Sequence, residues 1–277
     1  MLVCLNGKFI PHEDAQLPIT DGAFLFGDAL FETLKAHGRK ILLQDEHLDR
    51  LELSAKLLDF PCNRSRIEIS LQQLANALTT PASRIRLTLG RGQHQGLPFP
   101  SPDAGWFLLT ATEYSEPSDT EREQGAACVV APNQRVNPLS HLPQMKRGNY
   151  ADCLYAANYA RSKNAREALF RDSQGNLLEG STSNLFALID GKLITPPLGQ
   201  QVLAGIMRHQ VINAAIELGL LVSEQAMPRD LLLNAEEAFL CNSLIDILPI
   251  KSLDKQAISR DDYWRTILKT LQIRIAT

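Results

Sequence analysis

Apolar residues change their period several times along this chain of 277 residues. Residues 3–5 and 8–10 flank Asn6-Gly7, a pair that tolerates the positive backbone angles of a tight hairpin turn. Residues 31–36 and 40–43 flank His37-Gly38 and predict a second hairpin. Between residues 45 and 59 the apolar positions Leu48, Leu51, Ala55 and Leu58 take up helical spacing, and Pro61 ends the element. A further helix is predicted over 66–78, then strands over 84–89 and 106–111.

The most polar stretch, residues 113–123, reads as a domain linker. Beyond it the pattern predicts a strand at 126–130 and a helix at 149–163. Two hairpins follow, 168–171 with 177–178, and 185–189 with 192–195 around Asp190-Gly191. A helix over 205–218 closes at Gly219. Strands and helices mix without strict alternation, so the expected class is α+β with two domains, 1–115 and 124–277, joined by residues 116–123.

Composition narrows the function. A net charge of -3 and scattered basic residues give no footprint for nucleic acid. The five cysteines lack any Cys-x-x-Cys spacing and the six histidines lack metal spacing, so free thiols and no metal site are expected. The N-terminus has neither a basic region nor a continuous apolar run, and no apolar window is long enough to span a bilayer. A cytoplasmic protein acting on small molecules is the expectation.

Two residues point to chemistry. Lys146 lies in Leu142-Pro143-Gln144-Met145-Lys146-Arg147-Gly148-Asn149-Tyr150, read as a strand-to-helix turn. A neighbouring cation and a helix N-terminus both favour the neutral amine that attacks a carbonyl. Glu179 ends a short strand and precedes Gly180-Ser181-Thr182-Ser183-Asn184. A lysine that forms an imine and a carboxylate that keeps a ring nitrogen protonated are what pyridoxal phosphate chemistry requires. For the phosphate, the helix opening at Gly205-Ile206-Met207-Arg208 offers free N–H groups, and Arg50 offers a cation among apolar helix positions. Other motifs fail. Gly90-Arg91-Gly92-Gln93-His94-Gln95-Gly96 has its last glycine one place late for a dinucleotide loop and is followed by Leu97-Pro98 rather than a helix.

Together these segments resemble the fold type IV pyridoxal phosphate enzymes, the class IV aminotransferase family. The matching segments are 21–33, His47-Leu48-Asp49-Arg50-Leu51, Met145-Lys146 with Asn149, 179–186, 205–208, and Cys241-Asn242-Ser243-Leu244 with Pro249. The resemblance implies the two-domain D-amino-acid aminotransferase-like fold, with the cofactor between a small N-terminal and a larger C-terminal domain, in a homodimer. It implies that Lys146 holds pyridoxal 5'-phosphate covalently and moves protons, and that Glu179 pairs with the ring nitrogen. Tyr150 would bond the ring oxygen, while Arg50, Ser243 and the N–H groups of Ile206 and Met207 would hold the phosphate. Phe26, Arg91, His94 and Arg147 are the expected substrate contacts.

Branched-chain aminotransfer, D-amino-acid aminotransfer and 4-amino-4-deoxychorismate lysis share this scaffold. The segments 205–208 and 241–244 are similar to those of bacterial lyases, so release of pyruvate and 4-aminobenzoate, a folate precursor, is the first expectation. Amino transfer to 2-oxoglutarate is the second, and Tyr150 leans towards it. Gly96 stands where D-amino-acid enzymes and some lyases carry an arginine, and Pro98 where the former carry histidine. A third reading is a homologue that binds the cofactor without catalysis.

Overall fold

The computed structural model describes residues 1–276. Met1–Glu116 together with Met145–Tyr150 form one compact unit, and Pro117–Gln144 together with the chain from Ala151 form a second. The division is therefore not contiguous in sequence, because the lysine segment belongs with the first unit.

The first unit contains β1 (Leu2–Leu5), β2 (Lys8–Ile10), α1 (Gly22–Phe26), β3 (Ala29–His37), β4 (Lys40–Ile41), α2 (Gln44–Leu57), α3 (Arg64–Ala77), β5 (Ala82–Gly90) and β6 (Trp106–Glu113). Its sheet runs β2-β1-β6-β5-β3-β4 and is antiparallel throughout. Both N-terminal hairpins form as the turn residues require, with Leu5 opposite Lys8 and His37 opposite Lys40. Leu48, Leu51 and Ala55 of α2 and Ile67, Leu71 and Leu74 of α3 join Leu30, Leu34, Ile85, Leu87, Leu89 and Leu109 in one core. Each leucine buried there contributes about 2 kcal/mol. Strand alternation sends the intervening residues of β3 and β5, Phe31 and Arg86 among them, to the opposite face.

The second unit contains α4 (Asp119–Gln124), β7 (Ala126–Val130), α5 (Ala151–Ser162), β8 (Glu167–Arg171), β9 (Leu177–Gly180), β10 (Asn184–Ile189), β11 (Lys192–Thr195), α6 (Ile206–Glu217), β12 (Leu221–Glu224), α7 (Arg229–Leu233), β13 (Glu237–Asn242), β14 (Asp246–Leu253), β15 (Gln256–Ala257) and α8 (Tyr263–Ala276). Its sheet follows the order β12-β11-β10-β13-β14-β7-β8-β9, with β15 beside β14. The architecture is the expected α+β mixture.

The division between the units falls at Glu116 and Pro117, inside the polar stretch read as a linker. That stretch also carries the end of β6 at Glu113 and the start of α4, whose Ser118 and Glu121 form a reciprocal capping box. One expectation needs correction. The helix expected from residue 149 begins at Ala151, so Lys146 lies on an extended segment, and the neighbouring Arg147 bridges to Leu30 of β3.

The five cysteines are free thiols, four buried and Cys62 half-buried. Among the described residues no helix is long and apolar enough to cross a membrane.

Candidate active site

In the first unit, Lys146 is pinned to β3 through its backbone, its carbonyl accepting the Phe31 N–H at 3.0 Å. Its Nζ lies 4.6 Å from the Phe31 ring centroid and 5.8 Å from that of Tyr150. Tyr150 meets Phe31 edge-on at 5.4 Å. The β3 strand thus gathers the lysine and the tyrosine about one aromatic ring.

The other side of β3 carries Glu32, which is 1% exposed. Arg50 of α2 donates Nε to Glu32 Oε1 at 2.8 Å and Nη2 to Oε2 at 2.6 Å, and His47 Nδ1 meets Oε2 at 2.7 Å. Burial by itself would raise the Glu32 carboxyl; Arg50 and then His47 outweigh it and hold the group at about 2. Burial is also the first cause that lowers His47, reinforced by Arg50 and Lys146 against the opposing pull of Glu32. The arginine proposed for phosphate is therefore fixed in direction by a carboxylate that stays ionised.

Of the expected substrate contacts, Arg91 and His94 both face Asp28, at 2.8 and 3.9 Å. Arg91 is buried, with Nε on Asp28 at 2.8 Å, Nη1 on the Asp59 carbonyl at 2.6 Å and Nη2 on the Leu58 carbonyl. Its guanidinium also stacks on Phe60 and Phe99 at 3.8 and 3.9 Å. All three guanidinium nitrogens brace the chain itself. His94 is buried with neither ring nitrogen hydrogen-bonded, edge-on to Phe26 at 5.6 Å. Phe26 is exposed at the end of α1, and Arg147 is half-buried beside Lys146.

Arg86 was not foreseen. Its guanidinium lies 3.8 Å from the Phe31 ring centroid. Burial is the main cause that lowers its affinity for a proton, Arg84 adds to it, and Tyr150 opposes. No ion pair with a carboxylate is formed by Arg86 among the described residues. The signal was legible as Arg84-Ile85-Arg86, where Ile85 enters the core and strand alternation must put both cations on the other face.

In the second unit, Glu179 sits at 4% exposure on β9. Arg135 donates Nε to its Oε1 at 3.0 Å, while the Leu203 N–H and Asn184 Nδ2 reach Oε2 at 3.0 and 3.3 Å. Arg135 also binds Asp152 at 2.7 Å and Cys153 Sγ at 3.0 Å. Burial opposes its charge, but Glu179, Cys153 and Asp152 raise its proton affinity above the ordinary arginine value. Glu179 is thus a carboxylate held against a permanent cation. Ile206 and Met207 form the first turn of α6, whose N-cap Gly205 supplies no side-chain bond to the helix. A methyl group on Gly205 would collide with Asn184 Oδ1, so the start of α6 is fitted closely to the residue that contacts Glu179. Ser243 lies half-buried in the turn between β13 and β14, and Asn242 Oδ1 accepts the Leu244 and Ile245 N–H groups at 2.9 Å each. Among the described residues no cluster of three or more His, Cys, Asp or Glu could hold a metal ion.

These groups suit pyridoxal phosphate by the chemistry of the donors: an amine beside aromatic rings, a buried carboxylate, an oriented arginine and an uncapped helix start. The chain matches the amino-transferase class IV family over residues 29–253. It is 31% identical over 264 residues to a putative branched-chain-amino-acid aminotransferase of Methanocaldococcus jannaschii, covering 94% of this chain and 90% of that one. Among solved structures, the T.th. branched-chain amino acid aminotransferase with pyridoxamine 5'-phosphate superposes at a TM-score of 0.87 and 25% identity, covering 99% of this chain and 94% of that one. The 4-amino-4-deoxychorismate lyase of Pseudomonas aeruginosa superposes at 0.86 and 25% identity, covering 100% of both chains. The chain belongs to the class IV aminotransferase family. It is an enzyme of fold type IV, and pyridoxal phosphate is its cofactor.

Proposed function

We propose that the chain is a 4-amino-4-deoxychorismate lyase, releasing pyruvate and leaving 4-aminobenzoate. The observation that carries this reading is the end-to-end correspondence with the P. aeruginosa lyase, each chain covering 100% of the other. The lyase-like segments Gly205-Ile206-Met207-Arg208 and Cys241-Asn242-Ser243-Leu244 agree with it.

In this reading Lys146 Nζ would be the covalent anchor of the cofactor and the base of the reaction. Glu179 would pair with the ring nitrogen, and Arg135, donating to its Oε1, would orient that carboxylate. Arg50, Ser243 and the N–H groups of Ile206 and Met207 take the phosphate, and Tyr150 the ring oxygen. When bound, the cofactor withdraws electrons from the carbon bearing the amine. Lys146 takes the proton from that carbon, the bond from the adjacent ring carbon to the enolpyruvyl oxygen breaks, and a proton is returned to the departing methylene carbon. The ring becomes aromatic and pyruvate leaves, with no net oxidation. Arg86, stacked on Phe31, is the cation that receives a substrate carboxylate.

Purified enzyme given aminodeoxychorismate without any keto acid is expected to release pyruvate and 4-aminobenzoate in equal amounts. Amino transfer dependent on 2-oxoglutarate, with neither product formed, would overturn the lyase. That outcome would support a branched-chain aminotransferase, the reading favoured by the 31% identity to the M. jannaschii protein. We also propose a homodimer, supported by the exposed Ile19, Phe24, Leu25 and Phe26 around α1. Sedimentation as a monomer at micromolar concentration would remove it.

A further inference from the structure

We propose that Glu167 is a positioning residue that sets both the ring-nitrogen carboxylate and the phosphate-side turn, an inference that rests on the roles given above to Glu179 and Ser243. Glu167 opens β8 and is 5% exposed. Its Oε1 accepts the Ala168 N–H at 3.0 Å, the Ser181 N–H at 3.0 Å and the Ser181 hydroxyl at 2.5 Å. Its Oε2 accepts the Thr182 N–H at 3.3 Å, the Thr182 hydroxyl at 3.1 Å and the Ser183 hydroxyl at 2.9 Å.

All but one of these donors belong to the Ser181-Thr182-Ser183 run, the link from Glu179-Gly180 to Asn184. The three hydroxyls of this run all donate to Glu167. The turn is closed by the Gly180 N–H on the Ser183 carbonyl at 2.7 Å. A methyl group on Gly180 would strike Ser183 Oγ and the Glu167 side chain, so the carboxylate fills the space beneath the turn.

The same turn reaches the phosphate side. Asn242 Nδ2 donates to the Thr182 carbonyl at 3.1 Å, and Asn242 Oδ1 shapes the following turn by accepting from Leu244 and Ile245. One buried carboxylate, accepting from hydroxyl and amide donors, therefore ties β9, β10 and the Ser243 turn together. An amide cannot replace it. Glutamine offers one acceptor oxygen, and its NH2 would face the Thr182 N–H, a donor that has no means of turning away. Aspartate is one methylene short of serving both ends.

The test compares Glu167→Gln, Ser183→Ala, Glu179→Ala and wild type, reading apoenzyme melting, pyridoxal phosphate affinity by equilibrium titration, and the pH midpoint of the bound cofactor's visible band. Glu167→Gln is expected to weaken cofactor binding about tenfold or more, the scale on which groups behind a direct ligand act. It should also move the midpoint in the same direction as Glu179→Ala. Should Glu167→Gln not fold, Ser183→Ala decides, with a smaller loss of affinity and the same direction of shift expected. Unchanged affinity and midpoint in the deciding variant overturn the proposal, even if melting falls. If Glu179→Ala itself leaves the midpoint unchanged, the role of Glu179 fails, and this inference with it. A shift in Glu179→Ala with none from Glu167 or Ser183 removes only the present proposal.

Discussion

Arg50 turns the Nε–Nη2 edge of its guanidinium onto the carboxylate of Glu32, at 2.8 and 2.6 Å. Two donors on two oxygens fix the plane of the arginine, which a single contact would leave free to rotate. His47 adds a third contact to Glu32 at 2.7 Å. The arginine proposed for phosphate is thus oriented from behind by the protein itself.

Glu32→Gln leaves the largely buried Arg50 without its counter-ion, and a loss of about 3 kcal/mol at pH 7 is expected. The Glu32 carboxyl falls from an ordinary value of 4.5 to about 2 on folding. Its contribution is therefore complete above 4.5 and disappears as pH falls through about 2. Denaturant unfolding at several pH values should show the wild-type advantage shrinking to about half or less by pH ~3. An advantage that stays constant over that range would contradict the assigned ion pair.

Arg86→Leu should leave cofactor affinity near the wild-type value and raise KM for the carboxylate-bearing substrate about tenfold or more, since charge-assisted bonds contribute about 1.5–3 kcal/mol. Steady-state kinetics with cofactor in excess would measure it. A fall in kcat at unchanged KM would place Arg86 in the chemical step instead.

Local chemistry explains how much could be read in advance. Asn6-Gly7 and Asp190-Gly191 force hairpins by backbone geometry alone, and the α2 and α3 stripes need only their own spacing. Lys146 and Glu179 were singled out because their side chains are chemically distinctive. Their supports were not. Arg135 is far from Glu179 in sequence, and Glu167 is separated from its hydroxyl donors by a whole hairpin. Such pairings exist only after the sheet has formed. The internal bonding of Arg91 was hidden for the same reason, since nothing local announces that Asp28, Leu58 and Asp59 will enclose its guanidinium.

Glu237 carries no exposed surface, and neither carboxyl oxygen makes a hydrogen bond. Burial pushes its carboxyl up from 4.5 to about 7; the nearby Trp264 and Tyr263 amides oppose the shift, and Asp262 and Asp261 add to it. The folded state holds this proton more tightly than the unfolded one. Stability should therefore be greatest below about 4.5 and decline as pH rises towards about 7, as far as this group is concerned. Glu237→Gln is expected to raise stability by about 1–3 kcal/mol at pH ~8 and by little at pH ~5. Melting curves at the two pH values would measure this, and a variant equally destabilised at both would show that the carboxyl has a partner worth more than its burial costs.

Gly205 has φ of -68° and ψ of 134°, angles open to any residue. Alanine there meets no backbone strain, so its effect comes from the methyl group striking Asn184 Oδ1. Asn184 binds the Leu203 carbonyl at 3.1 Å and Glu179 Oε2 at 3.3 Å, and any shift of it disturbs Glu179 and the approach to α6 together. Gly219, at the far end of the same helix, is the opposite case. Its φ is +80° with nothing within 4 Å of an added methyl, so alanine there brings strain without collision. Gly205→Ala should weaken pyridoxal phosphate binding about tenfold, while Gly219→Ala should leave binding unchanged and cost about 1 kcal/mol of stability. Equilibrium titration and apoenzyme melting of the two variants separate the effects. Equal cofactor affinity in Gly205→Ala and wild type would mean that the first turn of α6 does not hold the phosphate.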